Sequence, residues 1–244
     1  MSKKGYNLNP LSQESTGMVT GPLVERLRQF QRFNGMQDGT LTEIIGSSRI
    51  GGYQKGHFLF YRDSAPQTSY VILSGSAKST RNNPDGSGLL MPLKAGDWIG
   101  LAEAISGYNH FTEAVIRRDS QLLEISKNVI NRLLQIPEFM NYVLVETSQY
   151  LRRLNDGIAI LSCVTAYDKL ITFFHLYLKD LSGKSEVEID LTHEELGLAA
   201  GSLTRPTVSN TLLQMRKEGI LSQARRGTLI LDKGLIEKHY SEMK

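Results

Sequence analysis

The chain has 244 residues, which suffices for one large domain or two ordinary ones, and we favour two. Its 28 Lys and Arg residues against 25 Asp and Glu give a net charge of +3, too small to establish nucleic-acid binding by itself. The single cysteine, Cys163, excludes an internal disulfide framework, a four-cysteine iron–sulfur cluster and a cysteine-based zinc site. No apolar run approaches the roughly 20 residues that span a bilayer, and the polar first 21 residues lack the apolar core of a signal peptide. We therefore expect a cytoplasmic protein with no membrane partner.

The N-terminal part of the chain changes character twice. Residues 1–21 are rich in Ser, Asn, Gly and Thr without a hydrophobic period, which predicts a flexible tail. Pro22 then opens a short predicted helix whose apolar side chains share one face, and residues 41–45 form a further helical turn. The face of the first helix consists of Leu23, Leu27 and Phe30.

Short β-rich runs separated by Gly, Asp and Pro occupy residues 50–125, and their regular spacing favours a roll or a barrel. Residues 84–86, with the sequence Pro-Asp-Gly, predict a hairpin turn, and Gly75, Gly96 and Gly100 mark tight corners. The six predicted strands are residues 57–61, 69–73, 77–81, 89–93, 112–116 and 121–125.

A long helix is predicted to begin at Pro137. Its apolar residues recur at alternating spacings of four and three, as in the seam of a two-stranded coiled coil. We predict that this helix joins two copies of the chain; the alternative is a helix packed only on its own roll. Gly157 weakens the helix and marks a bend or a hinge. The predicted seam consists of Leu144, Thr147, Leu151, Leu154, Ile158 and Leu161.

The strongest pattern lies near the C-terminus, after a second predicted helix at residues 166–178. Residues 191–197 read LTHEELG, residues 201–212 read GSLTRPTVSNTL, and residues 219–221 read GIL, which together predict a winged helix-turn-helix. Gly201 supplies the turn. Thr204 caps the second helix, and Pro206 fits only its first turn. Val208, Leu212 and Met215 are expected to face the core.

Double-stranded DNA is the predicted partner of this segment. The outer face of its second helix presents hydrogen-bonding ends suited to base edges and phosphates, and residues 222–231 form a wing of two short strands with a basic tip. His193, in the first helical turn, is either a phosphate contact or a plain surface residue. The alternative for the whole segment is a small trihelical fold that never touches DNA. The predicted DNA contacts are Arg205, Thr207, Ser209, Asn210, Gln214, Thr204, His193, Arg225 and Arg226.

The order of these elements resembles the cyclic-AMP receptor protein / Fnr family of bacterial transcription regulators over residues 50–235. The motifs that carry the resemblance are YQKGHFLFYRD at residues 53–63, YVILSGSAK at residues 70–78 and LKAGDWIG at residues 93–100. The resemblance implies an α+β fold with an N-terminal β-roll, which is a double-stranded β-helix of the cyclic-nucleotide-binding type, a long dimerisation helix and a C-terminal winged helix-turn-helix. It also implies a homodimer that binds a near-palindromic DNA site and contacts RNA polymerase, for which the loop of residues 179–186 is the corresponding place.

Four segments follow from this organisation. We predict a tail at residues 1–21, a roll with its leading helices at residues 22–136, a dimerisation helix at residues 137–165 and a DNA-binding domain at residues 166–244.

The roll departs from the family at the positions that hold a cyclic nucleotide. Leu101 stands where a glutamate binds the ribose, and Phe111 stands where an arginine pairs with the phosphate. An anionic phosphate against Phe111 would lack its charged partner, so we predict that cyclic AMP is not bound in the usual manner. One hypothesis is an effector-free regulator whose roll is packed shut by these two residues. The other is a different small ligand, in a pocket formed by Trp98, Leu101, Glu103, Tyr108, His110, Phe111 and Thr112.

A third arrangement is a cyclic dinucleotide bound outside the roll pocket, near Arg152 and Arg153.

The DNA-reading helix also departs from the family, because Pro206 and Asn210 stand where many members carry a base-reading glutamate and arginine. Arg205 matches the remaining base-reading arginine, so we expect a different operator preference with Arg205 on a guanine.

An enzyme of the cupin type is the remote alternative, because that class shares the roll topology. The five histidines are scattered with no His-x-His pair, and no phosphate loop, nucleophile elbow or Cys/His constellation occurs. We therefore predict a protein with no catalytic centre, no metal site and no cofactor.

Overall fold

The computed structural model describes residues 20–85, 87–179, 186–189, 191–225 and 228–243. Most of the predicted tail lies outside these residues. Helix α1 spans Thr20–Arg28, so it begins two residues before Pro22 and includes the last two residues of the predicted tail. A 3₁₀ turn at Gln31–Phe33 and helix α2 at Asp38–Gly46 follow.

An antiparallel sheet of six strands forms the roll. Strands β1 to β4 span Arg49–Tyr53, Phe58–Phe60, Thr68–Asn82 and Gly88–Lys94. Strand β5 spans Trp98–Ile99 and β6 spans Glu113–Ser126. The order is β1-β6-β3-β4, with β2 paired to β6 and β5 paired to β3.

Two predicted interruptions of the sheet are absent. The strands predicted at residues 69–73 and 77–81 are one strand, β3, and those predicted at residues 112–116 and 121–125 are one strand, β6. Gly75 has φ 89° and lies where the register with β6 shifts, so the strand bends at a bulge without ending. Gly96 and Gly100, with φ 91° and 76°, occupy the predicted corners. The predicted hairpin turn at residues 84–86 lies partly outside the described residues.

The roll core lies between the sheet and the helices around it. Helix α3 spans Leu101–Ser106, α4 spans Lys127–Leu133, and α5 spans Pro137–Ser162. Phe33 and Phe139 are fully buried in this core, and the indole Nε1 of Trp98 donates to the Tyr142 hydroxyl at 2.8 Å. Pro137 is in the first turn of α5, as predicted, and the helix is uninterrupted at Gly157, where we predicted a bend or a hinge.

A charged cluster fixes the start of α5 against the roll. The Arg32 guanidinium lies 2.7 Å from a carboxylate oxygen of Asp97 and 2.5 Å from one of Glu146. All three side chains are largely buried. Because burial of charge is costly unless the charges are paired, this cluster holds the 3₁₀ turn, the roll and α5 in one arrangement.

The C-terminal domain packs helices on a small sheet. Helix α6 spans Ala166–Lys179, and the three-stranded sheet has the order β7-β9-β8. Its core contains the fully buried Phe174, Leu196 and Val208. The strands are β7 at Glu186–Ile189, β8 at Leu221–Arg225 and β9 at Thr228–Asp232, and the helices are α7 at His193–Ala199, α8 at Arg205–Lys217 and α9 at Lys233–Glu242.

Within the part of the chain that the structure describes, no helix has both the length and the apolar character needed to cross a membrane.

Candidate nucleic-acid interface

Helices α7 and α8 form the predicted helix-turn-helix. Thr192 caps α7: its Oγ1 accepts from the Glu195 amide at 3.2 Å, and its own amide donates to the Glu195 carboxylate at 3.0 Å. A Cβ at Gly197 would collide with the Leu203 carbonyl, so glycine lets α7 approach the turn closely. Gly201 has φ 87° in that turn, as its predicted role requires.

The start of α8 is as predicted. Thr204 is the N-cap and accepts from the Thr207 amide at 3.4 Å, and Pro206 lies in the first turn. Val208, Leu212 and Met215 are buried in the domain core. The opposite face of the helix is therefore fixed in direction, because it must point away from that core.

The predicted contacts on α8 differ in how available they are. Arg205 is 71% exposed and makes a loose pair with Glu194 at 3.9 Å. Asn210 is exposed as well. Gln214 is exposed and donates to the Glu218 carboxylate at 3.0 Å. Arg205 and Asn210 are thus the side chains most readily offered to a ligand.

His193 and Ser209 are engaged with each other. The His193 Nδ1 lies 2.7 Å from the Ser209 hydroxyl, and both side chains are half-buried. Similarly, the hydroxyls of Thr204 and Thr207 lie 2.8 Å apart. These four residues, predicted as DNA contacts, also cross-link α7 to α8 and cap α8, so they set the angle between the two helices.

The wing is a hairpin of β8 and β9, which pair antiparallel with Arg225 opposite Thr228. Arg226 and the side chain of Arg225, the predicted basic tip, lie outside the described residues. So does most of the loop of residues 179–186 that the family resemblance associates with RNA polymerase.

The predicted dimer seam on α5 is exposed. Leu144, Leu151, Ile158 and Leu161 are each between 56% and 61% exposed. Leu154 is 37% exposed, and Thr147 is exposed too. The core side of the same helix instead presents Phe139, Tyr142 and Val143 to the roll. The single chain therefore leaves an apolar stripe along α5 uncovered.

The residues of the predicted effector pocket differ in how deeply they are buried. Leu101 is buried in the roll core, but Phe111 is 58% exposed. The Arg81 guanidinium lies 3.8 Å from the centre of the Phe111 ring, which keeps the ring at the surface. The prediction that Phe111 packs the roll shut is therefore wrong, whereas Leu101 does fill the interior.

The other pocket residues face different ways. Tyr108 is exposed, Trp98 points to α5, Glu103 is half-buried, and Thr112 accepts a hydrogen bond from Ser79 at 2.6 Å. His110 is the exception, because it is buried and stacks on Phe60 with ring centres 3.5 Å apart. Its Nδ1 has no hydrogen-bond partner among the residues that the structure describes, and burial lowers the pKa of the ring although the Glu103 carboxylate opposes this.

Two family models match the chain. One, described as a cyclic nucleotide-binding domain, matches residues 52–136, and the other, described as a Crp-like helix-turn-helix domain, matches residues 168–238. The chain belongs to the Crp/Fnr family. It is a DNA-binding transcription regulator of the Crp/Fnr type.

Curated Crp/Fnr relatives cover most of the chain. A CRP-like cAMP-activated global transcriptional regulator of Mycobacterium tuberculosis is 22% identical over 206 residues, which are 82% of this chain and 92% of the relative. The fumarate and nitrate reduction regulatory protein of Yersinia pestis is 27% identical over 175 residues, which are 69% of each chain.

Solved structures of Crp/Fnr regulators share the fold. FixK2 from Bradyrhizobium japonicum has a TM-score of 0.69 and 21% identity, covering 78% of this chain and 96% of that one. The c-di-GMP responsive global regulator CLP of Xanthomonas campestris has a TM-score of 0.66 and 20% identity, covering 80% and 99%.

One ionic contact between the Crp-like domain and the roll was not foreseen from the sequence. The Glu195 carboxylate accepts from Lys78 Nζ of β3 at 3.0 Å and from the Arg117 guanidinium of β6 at 2.9 Å. Nearby, the Ser202 hydroxyl bonds both the amide and the carbonyl of Gly88 at 3.1 Å. The turn and first helix of the DNA-binding motif are thus tied to the roll.

Burial would raise the pKa of Glu195, but hydrogen bonds from the Thr192 amide and Lys78 and the charge of Arg117 hold that pKa below its ordinary value. We expect Glu195→Gln to lower the free energy of unfolding by about 1–2 kcal/mol at neutral pH, measured by urea titration. Glutamine keeps the capping box, so the loss reports the two ion pairs. Because a depressed carboxyl pKa stabilises the folded state only above the carboxyl range, the difference should shrink as the pH falls through it.

The matched control is Glu237→Gln on α9, which removes an exposed pair with Lys233 at 3.8 Å. Its effect should stay within about 0.5 kcal/mol. Equal effects of the two substitutions would show that the contact with the roll stabilises the fold no more than an exposed ion pair does.

Proposed function

We propose that the chain regulates transcription as a homodimer bound to a near-palindromic DNA operator, with α8 in the major groove of each half-site. The observation that carries this proposal is the geometry of α8. A capped, core-packed helix turns a polar face outward, and the exposed Arg205 stands at its first position. In helix-turn-helix proteins the N-terminal residues of the second helix contact base edges.

Arg205 reads a guanine in this proposal, since a guanidinium can donate to its O6 and N7 together. Its competing partner, Glu194, is exposed, and an exposed pair at 3.9 Å contributes little. Arg205 can therefore leave Glu194 for DNA at small cost.

Replacing Arg205 by alanine is expected to weaken specific DNA binding about 5- to 150-fold, since a good bidentate base contact contributes about 1–3 kcal/mol of discrimination. The measurement is fluorescence anisotropy with purified protein at fixed salt. Arg49→Ala on β1 is the matched control, because Arg49 is also 71% exposed and also holds a loose carboxylate pair, with Glu124 at 3.6 Å. Equal affinities of the two variants would refute the role of Arg205.

The exposed stripe on α5 supports the homodimer. A seam that alternates spacings of three and four and remains uncovered in the single chain is suited to the same seam of a second copy. Two copies would also place two reading helices for two half-sites, which a near-palindromic operator requires.

In our proposal, cyclic AMP does not control this regulator by binding in the roll in the usual manner. Leu101 fills the position of the ribose-binding glutamate with a buried apolar side chain, and no arginine stands at Phe111. We favour an effector-free regulator, because the residues of the predicted pocket turn toward α5, the core or the surface. A small ligand other than cyclic AMP is the alternative, and the buried unpartnered Nδ1 of His110 favours it.

A DNA titration with and without a panel of cyclic mononucleotides and dinucleotides separates these proposals. Effector-free control predicts the same affinity in every arm. Binding that requires one mononucleotide would overturn it and point to the roll. Binding that requires a dinucleotide would point to α5, where Arg152 is exposed and the Nε of the half-buried Arg153 has no hydrogen-bond partner within the described part of the chain.

A contact with RNA polymerase is the last part of the proposal. It rests on the family resemblance of the loop at residues 179–186.

A further inference from the structure

An apolar side chain stands in the middle of the DNA-facing surface of α8. Leu213 is 51% exposed, whereas Val208, Leu212 and Met215 on the same helix are buried. A single exposed leucine is common on protein surfaces, so its exposure alone decides nothing. Its place on the helix is the informative feature.

Helical geometry puts Leu213 directly opposite the core. At about 100° per residue, Leu213 lies roughly 20° from Pro206 and 60° from Asn210 around the helix axis. The buried residues Val208 and Met215 lie on the far side, roughly 140° and 160° from Leu213. Any groove that receives Arg205 and Asn210 therefore also receives Leu213.

Along the axis of α8, Leu213 also lies close enough to Pro206 for both side chains to reach bases in one major groove. Leu213 follows Pro206 by seven residues, which is about 10 Å along the helix, and the major groove is about 12 Å wide. Pro206, Ser209, Asn210 and Leu213 have the spacing i, i+3, i+4, i+7, the pattern in which a helix lying in a major groove presents four side chains to base edges.

The chemistry of the side chain selects its partner. Leucine cannot satisfy the donors and acceptors of base edges, and covering them without a partner is unfavourable. The apolar group that the major groove offers is the C5-methyl of thymine. We propose that Leu213 is a specificity-determining residue that packs on a thymine methyl in each half-site. This inference rests on the proposed function, in which α8 enters the major groove.

The test replaces single methyl groups of the DNA. An operator is first selected by the wild-type protein from random duplexes, and each thymine of a half-site is then exchanged for deoxyuridine, which lacks only the C5-methyl. We expect one position per half-site at which the exchange weakens binding about fourfold, which is the effect of removing one buried methyl group. Exchange in both half-sites should weaken binding about fifteenfold.

Leu213→Ala should bind the thymine operator with a similar loss and should be insensitive to the exchange. Leu213→Met keeps an apolar end and should retain the sensitivity. Leu89→Ala, at an exposed leucine of β4 in the roll, should retain it as well. Circular dichroism of each variant establishes that it is folded.

The outcomes separate the two proposals. If binding to the operator depends on Arg205 but responds to no thymine exchange, the role of Leu213 is refuted and the proposed function is not. A Leu213→Ala variant that stays sensitive to the exchange would lead to the same conclusion. If no operator is selected at all, the proposed function fails together with this inference.

Discussion

Replacing Leu151 and Ile158 of α5 by aspartate is expected to turn the proposed dimer into a monomer and to weaken binding to a palindromic site at least a hundredfold. Both side chains are more than half exposed in the single chain and lie in the same seam. Aspartate in that seam would place like charges opposite each other and desolvate them. A monomer loses the second half-site, and linking two binding events contributes about 10²- to 10⁴-fold in affinity.

Sedimentation equilibrium and anisotropy on the operator measure the two effects. Gln149→Asp together with Ala159→Asp is the matched control, since both residues are exposed on α5 away from the seam. The control should remain a dimer and bind normally. A seam variant that stays dimeric, or a monomer that binds as tightly as the wild type, would contradict the role we assign to α5.

Arg32→Met should cost about 3–5 kcal/mol of unfolding free energy, the expected effect of removing one partner from a buried ion cluster. The substitution leaves the carboxylates of Asp97 and Glu146 buried without their shared cation. Because Glu146 belongs to α5, this helix should also lose a fixed attachment to the roll.

Urea unfolding followed by circular dichroism measures this loss. Arg28→Met is the control: its pair with Asp38 at 2.6 Å is more exposed, so the cost should stay near or below about 1 kcal/mol. Arg32→Met combined with Asp97→Asn and Glu146→Gln should recover much of the stability, since no unpaired charge remains. A triple variant as unstable as the single one would assign the loss to packing and not to charge.

The helix-turn-helix could be predicted because local chemistry fixes its boundaries. Thr204 and Pro206 together determine where α8 begins, and the spacing of Val208, Leu212 and Met215 determines its buried face. These signals act within a few residues, so the sequence alone carries them.

The roll was predicted in outline but not in detail. A glycine between two β-rich runs predicts a corner where the strand ends. In the structure, Gly75 instead bends β3 at a bulge, and pairing with β6 continues on both sides. Short elements such as α3, α4 and β7 were missed. They have four to seven residues, too few for a hydrophobic period to become visible.

Contacts between distant segments were beyond sequence reasoning. Glu195 lies 117 residues from Lys78 and 78 from Arg117, and no local pattern brings these residues together. The direction of Phe111 was mistaken for the same reason, because its partner Arg81 lies on β3 and holds the ring at the surface.

The contact between Glu195 and the roll also bears on control of the regulator. It joins the first helix of the DNA-reading motif to β3 and β6, the strands that build the roll. A displacement of either strand would therefore alter the contacts that α7 makes with the roll.

Selection of random duplex DNA by the purified wild-type protein, without any nucleotide, tests whether the chain reads DNA as a dimer through α8. We expect enrichment of an inverted repeat whose half-sites are about one helical turn apart, near 34–36 Å between centres. Each half-site should contain a guanine whose exchange no longer matters in Arg205→Ala. Failure to enrich any sequence, or enrichment of a single half-site without symmetry, would contradict a dimer that reads DNA through α8.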